Sequence, residues 1–136
     1  MRKENITHNG AVQAIIIYAG EMGHGVQFYV ENERTLQVGK QRRLRGERIT
    51  PHRHLPVQID REETLQEVLY IESGKVKITF YDDRWGEIDS RVLNKGDMIL
   101  LIRGGHGFEI LEETKMIEVK QGPYNPAATQ RRENDR

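Results

Sequence analysis

Apolar and polar residues alternate along most of this chain with a period of two, and helical spacing recurs far less often. The clearest run is Val76-Lys77-Ile78-Thr79-Phe80-Tyr81, with Ser73-Gly74 before it and Asp82-Asp83 after it. That pattern predicts a half-buried strand between two turns. Similar short runs predict strands at 14–18, 26–30, 35–38, 67–72, 91–93, 98–102, 108–111 and 116–120. Polar and glycine-containing segments at 20–25, 31–34, 82–86, 94–96, 104–107 and 112–114 predict the turns between them. Many short strands with little helix read as an all-β sandwich or barrel.

Two stretches break this rhythm. Residues 55–66 are polar and open with a proline-containing turn, which predicts a loop with a helical turn at 61–65. Residues 125–136 are charged and nearly free of large apolar groups, so they are expected to stay flexible unless a partner holds them. A chain of 136 residues suits one core, which predicts a single barrel over 1–124 followed by that tail.

Composition narrows the function. The 21 basic and 21 acidic residues cancel, so no global field draws the protein to nucleic acid or to an acidic membrane, and neither partner is expected. The run Lys40-Gln41-Arg42-Arg43-Leu44-Arg45 is a local exception, read either as a solvated strand face or as a basic rim for an anionic substrate. Cysteine is absent, which removes disulfides, thiolate metal sites and cysteine nucleophiles. No apolar run approaches the roughly 20 residues that cross a bilayer, and no basic, apolar and small-residue leader opens the chain. A cytoplasmic location is the expectation.

The histidines carry the candidate chemistry. In His52-Arg53-His54 the two imidazoles share one face if the segment is a strand, and Pro51 suits a strand end. Glu67 opens the next predicted strand on the face of Leu69 and Ile71, where an unpaired carboxylate is costly and a cation would stabilise it. His106 lies in Gly104-Gly105-His106-Gly107, a predicted turn. Three imidazoles and one carboxylate make an N/O donor set suited to one divalent transition metal, without distinguishing Fe, Mn, Ni, Zn or Cu. The bland alternatives are exposed strand histidines at 52 and 54, a structural pair of Glu67 with Arg53 or Arg48, and a turn-capping role for His106. His24 reads as an exposed turn histidine, and His8 as part of a frayed terminus. The lysine and helix that a phosphate loop needs after its glycines are missing.

The order Gly46, His52, His54, Glu67, Gly74 resembles the first motif of the cupin superfamily, with five residues before the first histidine and six before the last glycine. Gly96, Gly104 and His106 echo the second motif. The resemblance spans roughly 46–119, and the segments at 66–69 and 119–124 are similar to small uncharacterised cupins linked to surface-sugar and nucleotide-sugar pathways. Departures stand beside it. Twelve residues separate His54 from Glu67 where the family has three or four, Ile102 replaces a proline, one residue is missing before His106, and Ile110 replaces an asparagine.

The resemblance implies a jelly-roll barrel (a double-stranded β-helix) whose metal is held by His52, His54, Glu67 and His106. The inward apolar rows predict a pocket lined by Leu69, Ile71, Val76, Ile78, Phe80, Phe108 and Ile110. Arg103, Phe108, Lys120 and Tyr124 are the candidates for contacting a small-molecule ligand, with Arg103 able to grip a carboxylate or phosphate bidentately. Strand parity turns Tyr70 away from them. The expected function is metal-dependent chemistry on a small polar molecule, as a sugar or sugar-nucleotide isomerase or epimerase, or as an oxygenase. A non-catalytic sugar-binding barrel is the alternative, as is a metal-free isomerase using His52 or His54 as base with Glu67 as its partner. Edge strands and an apolar outer face predict a homodimer.

Overall fold

The computed structural model of the protein describes residues 2–59 and 63–133. In chain order the strands are β1 (Lys3–His8), β2 (Ala11–Ile17), β3 (Gly25–Phe28), β4 (Gly39–Arg42), β5 (Glu67–Tyr81), β6 (Glu87–Asn94), β7 (Met98–Leu101) and β8 (Gly105–Lys120). A 3₁₀ turn at Pro126–Ala128 follows, with its N-terminus capped by Asn125. The expected all-β class therefore stands, and no helix among the described residues is long and apolar enough to cross a membrane. The chain divides into two compact units, residues 1–20 with 65–136, and residues 21–64.

The first unit is one antiparallel sheet in the order β1-β2-β7-β5-β6, with β8 on the other side of β5, and it curls into a half-barrel. Its organising element is β5, a strand of 15 residues where two strands and a turn are expected from the sequence. The turn signal Ser73-Gly74 instead makes a corner inside a continuous strand. Register shifts at Ser73 and Lys75 there move the inward row from Glu67, Leu69 and Ile71 to Val76, Ile78 and Phe80. A bulge changes side-chain parity by inserting unmatched residues, which is why the two halves look like separate strands in sequence.

Gly74 is required at the corner. Its φ is +97°, and a Cβ there would stand 2.3 Å from the Glu113 carbonyl oxygen and 2.4 Å from Thr114 Oγ1. Across the corner the Lys75 N–H donates to Thr114 Oγ1 at 3.2 Å, and that hydroxyl donates to the Glu112 carbonyl at 2.7 Å. These bonds keep β8 continuous over 16 residues, where sequence signals predict a turn at 112–114 and a glycine turn around His106. On the other side of β5 the chain from β6 to β7 bends at the same level. There Ile71 exchanges backbone hydrogen bonds with Asp97 and Gly96 at 2.9 and 2.8 Å. The buried Asp97 carboxylate accepts the N–H groups of Ala19 at 2.8 Å and Asn94 at 2.7 Å, so the corner leaves no orphaned donor at those positions.

The inward row is the core. Leu69, Ile71, Val76, Ile78 and Phe80 are buried with Ile16, Leu93, Ile99 and Leu101, and Phe108 packs against them. Of the residues assigned to a pocket from sequence, all except Ile110, which is exposed, lie in or against this core. From Ala14 to Ile17 every side chain of β2 is at most 1% exposed, so both faces of that strand are covered. The polar segment read as a frayed terminus forms β1, paired with β2 from Lys3 to His8. Glu4 of β1 accepts from Arg91 of β6 at 2.9 Å and from Tyr18 at 2.8 Å, tying together strands that share no backbone ladder.

The second unit is a two-stranded ribbon, β3 with β4, followed by irregular chain. The strand expected at 35–38 lies at Gly39–Arg42, and the Tyr29 N–H extends the ribbon by donating to Val38 at 2.9 Å. Tyr29, Val30 and Val38 are buried. The segment carrying His52 and His54 has no strand, so the same-face argument from strand geometry does not hold for it. The helical turn expected at 61–65 overlaps residues outside the described ones, as does the end of the predicted tail.

Two outcomes follow. Gly74→Ala adds both strain at positive φ and a clash with backbone, and should cost roughly 2–5 kcal/mol in chemical denaturation. Hydrogen bonds from Arg91 are the leading cause that lowers the carboxyl pKa of Glu4 and of Asp89. Depressed folded values stabilise above the ordinary 4.5 and 3.8, and the contribution is lost as pH falls below them. Arg91→Met should therefore lower stability by about 1 kcal/mol at neutral pH, with the difference from wild type closing as melts are repeated below pH ~4. A difference that stays constant with pH would assign the loss to packing.

Candidate functional site

Glu67 and His106 belong to opposite ends of the β5–β8 ribbon. In the register Glu67 faces Lys120, whereas His106 faces Phe80, thirteen residues further along β5. A straight strand would hold those positions about 43 Å apart. The corner at Gly74 folds the ribbon back. Leu101 pairs with Glu67 and Gly105 pairs with Tyr81, so the short link between β7 and β8 draws the two ends of β5 together. His106 Nε2 then lies 3.1 Å from Glu67 Oε1.

The surroundings of this pair are mixed. The Glu67 side chain is 14% exposed and that of His106 31%, so the carboxylate sits deeper than the ring. Phe108, two positions on along the same face, meets the His106 ring edge-to-face with centroids 5.8 Å apart. Glu118 and Lys120 share the inward face of β8 with them, opposite Leu69 and Glu67. The hydrogen bond from His106 lowers the Glu67 pKa to about 2, against the effect of burial, and Glu118 and Lys120 lower it further. Glu118 moves the opposite way, because its carboxyl shares a hydrogen bond with Glu67 and is partly desolvated. The shared hydrogen bond thus favours the ionised form of Glu67 and disfavours that of Glu118.

His52 and His54 lie in the second unit, with ring centroids 5.4 Å apart and planes at 80°. The Thr50 carbonyl lies 2.8 Å from His52 Nδ1. A carbonyl only accepts, so Nδ1 carries the hydrogen and a neutral ring keeps its lone pair on Nε2. Metal-binding histidines are commonly oriented this way. His24, expected to be an exposed turn residue, pairs with Glu47 in the same unit.

The structure thus brings Glu67 to His106 and His52 to His54. Among the described residues no three His, Asp or Glu side chains form a group that could hold a metal ion. The donor types nevertheless suit a borderline divalent cation, since each pair offers imidazole or carboxylate and the His52 tautomer leaves a ligating nitrogen. Lys120 belongs with Glu67, and Phe108 with His106. Arg103 is exposed on the link before β8, its backbone N–H donating to Gln13 at 3.2 Å. Tyr124 lies beyond β8 and is 82% exposed. Tyr70 points away from the site, as its parity predicts. Sequence reasoning missed Glu118. Its one signal was the alternation Met116, Glu118, Lys120, which reads equally well as a solvated face.

No protein-family model, curated protein or solved structure matches the chain. The chemistry of the site rests on its own geometry.

If His106 is what keeps Glu67 ionised, His106→Ala leaves burial as the dominant influence. In the metal-free protein the Glu67 carboxyl should then titrate well above about 2, its value in the wild type. Carbon-detected NMR titration of the Glu67 side chain reads this directly.

Proposed function

We propose that the protein is a cupin-type barrel that binds a divalent transition metal and acts on a small polar molecule. The observation that carries this reading is the meeting of Glu67 and His106 from opposite ends of one folded ribbon. A half-buried carboxylate against an imidazole is an expensive way to hold the ends of a strand together, since an apolar pair of similar volume would do so with less desolvation. A metal-binding role explains its presence. His52 and His54 are counted as the remaining ligands on the strength of their spacing in the chain and of the His52 tautomer.

His52, His54, Glu67 and His106 would hold the ion, which would supply Lewis-acid chemistry at the site. The protein's own groups supply the rest. Glu118 shares a hydrogen bond with Glu67 that favours its acid form, Lys120 adds a positive charge at the same level, and Phe108 backs the imidazole. Arg103 stands on the neighbouring link as a candidate clamp for a phosphate or carboxylate. A sugar or sugar-nucleotide derivative fits these groups, with isomerisation, epimerisation or oxygenation as the reaction.

A second reading has its own support. Glu67 and Glu118 touch, yet their environments push one towards the carboxylate and the other towards the acid. Adjacent carboxyls whose pKa values are pushed apart are suited to moving a proton off one carbon and onto another, which is isomerase chemistry without a metal.

Elemental analysis of the purified protein and its variants separates the readings. Close to one equivalent of a transition metal is expected in the wild type. Glu67→Gln, His106→Ala and the His52→Ala/His54→Ala double variant should each lose at least tenfold in metal affinity. Loss in the first two alone would restrict the site to Glu67 and His106. A protein that takes up no divalent ion, even on reconstitution, while Glu67→Gln abolishes turnover, would hand the function to the acid–base reading. A thermal shift with sugars and no turnover would leave a binding module.

A further inference from the structure

Strand β8 pairs with β5 on one side and has no second partner among the described strands. It is 16 residues long, and nearly all of it is exposed. Long edge strands invite pairing with another chain unless they are blunted. Here the register shifts around Glu112–Lys115 interrupt the edge in its middle, but the stretch from Met116 to Lys120 keeps an unbroken pairing pattern with β5. Met116, Ile117 and Val119 are exposed on it, and Leu111 lies just before it. The strand is acidic, with Glu109, Glu112, Glu113 and Glu118 against Lys115 and Lys120.

The second unit carries the complementary character. Between Lys40 and His54 it holds six cations and one acid, Glu47, which is already paired with His24. The residues that follow are apolar at every second position, and Leu55, Val57 and Ile59 are 75%, 77% and 64% exposed. Alternation at period two is the pattern of a half-buried strand, yet this segment has neither strand pairing nor cover. Pro56 explains which way it would pair. In a strand the backbone groups of alternate residues point to opposite sides. With Pro56, which has no N–H, turned outward, Leu55, Val57 and Ile59 direct their backbone bonds to a neighbour.

We propose that this segment of one copy adds to the β8 edge of a second copy, and that the exchange is reciprocal. Strand addition supplies main-chain hydrogen bonds, and the alternating side chains supply specificity. Opposite local charges orient the encounter even though the whole chain has no net charge. Residues 44–59 and 109–120 together make 28 positions per copy, within the roughly 20–30 residues a side of a stable interface. A reciprocal exchange of one segment and one edge per copy is the two-fold form of this pairing.

Charge reversal tests this without disturbing the core. The first variant carries Arg45→Glu and Arg48→Glu. The second carries Glu112→Lys and Glu113→Lys. Sedimentation equilibrium of the wild type should give close to twice the 15.8 kDa chain mass at micromolar concentration. Each variant alone presents two surfaces of like charge and should dissociate at least tenfold more readily. Mixed together they should recover the dimer as a heterodimer, since each segment then meets an edge of opposite charge. The double variant Leu55→Asp/Val57→Asp should be monomeric with an unchanged circular dichroism spectrum. A monomeric wild type, or variants that dimerise as well alone as when mixed, would overturn the proposal. None of these positions is a proposed metal ligand, so metal content remains an independent readout of the function proposed above.

Discussion

The first unit depends on one corner. At Gly74 the backbone of β5 passes so close to Glu113 and Thr114 that a single Cβ would collide with the neighbouring strand. That approach lets a two-stranded ribbon turn sharply while keeping its ladder, with the Thr114 hydroxyl bridging Lys75 and Glu112 where the regular pattern lapses. On the opposite side, the bend between β6 and β7 matches it, and the buried Asp97 carboxylate takes up the amides that the bend turns inward. A sheet with only one of these corners would tear its hydrogen bonds at that level.

The site is a consequence of the corner. Folding the ribbon changes which parity of β5 faces the core, and so puts Glu67 on the same interior as Phe80 and its partner His106. The two residues close the curl at its open end, where partial exposure lets an ionised group survive while desolvation sharpens its interactions. Glu118 and Lys120 come with Glu67 because they occupy alternate positions on the strand that pairs with it. The opposite pKa shifts of Glu67 and Glu118 are therefore a product of register. The same register places Phe108 against His106, giving the imidazole a rigid apolar neighbour.

The charge balance of the chain hides a separation. The second unit collects cations on an irregular segment, while β8 collects carboxylates on an exposed edge. Zero net charge argues against a field over the whole molecule, but short-range complementarity survives screening, which falls off over roughly 10 Å. A protein can thus be neutral overall and still present two surfaces that seek each other.

Much of this was legible in the chain. Period-two alternation is a direct record of pleated side chains, so the all-β class, the half-buried row at Val76, Ile78 and Phe80, and the turns at Asp82–Gly86 and before Asp97 could be read without coordinates. Glu67 stood out because a carboxylate heading an apolar row needs a partner. Other features were decided by tertiary contacts. Ser73-Gly74 and Glu112-Glu113-Thr114 carry turn signals, yet each became a bulge within a strand, because cross-strand hydrogen bonds outweigh local preference when both partners deviate together. The polar segment Lys3–His8 became a strand because β2 offered it an edge, and most of the row assigned to a pocket packs in the core. Periodicity alone did not name the partner of Glu67; the motif resemblance grouped it with His106. His106 lies 39 positions away, and only the fold of the ribbon brings it within hydrogen-bond distance. Sequence alone determined the strands and the residues that need partners, since those follow from local periodicity and the cost of burying charge. Tertiary structure decided which strands run through their turn signals and which groups meet, since both depend on hydrogen bonds between distant segments.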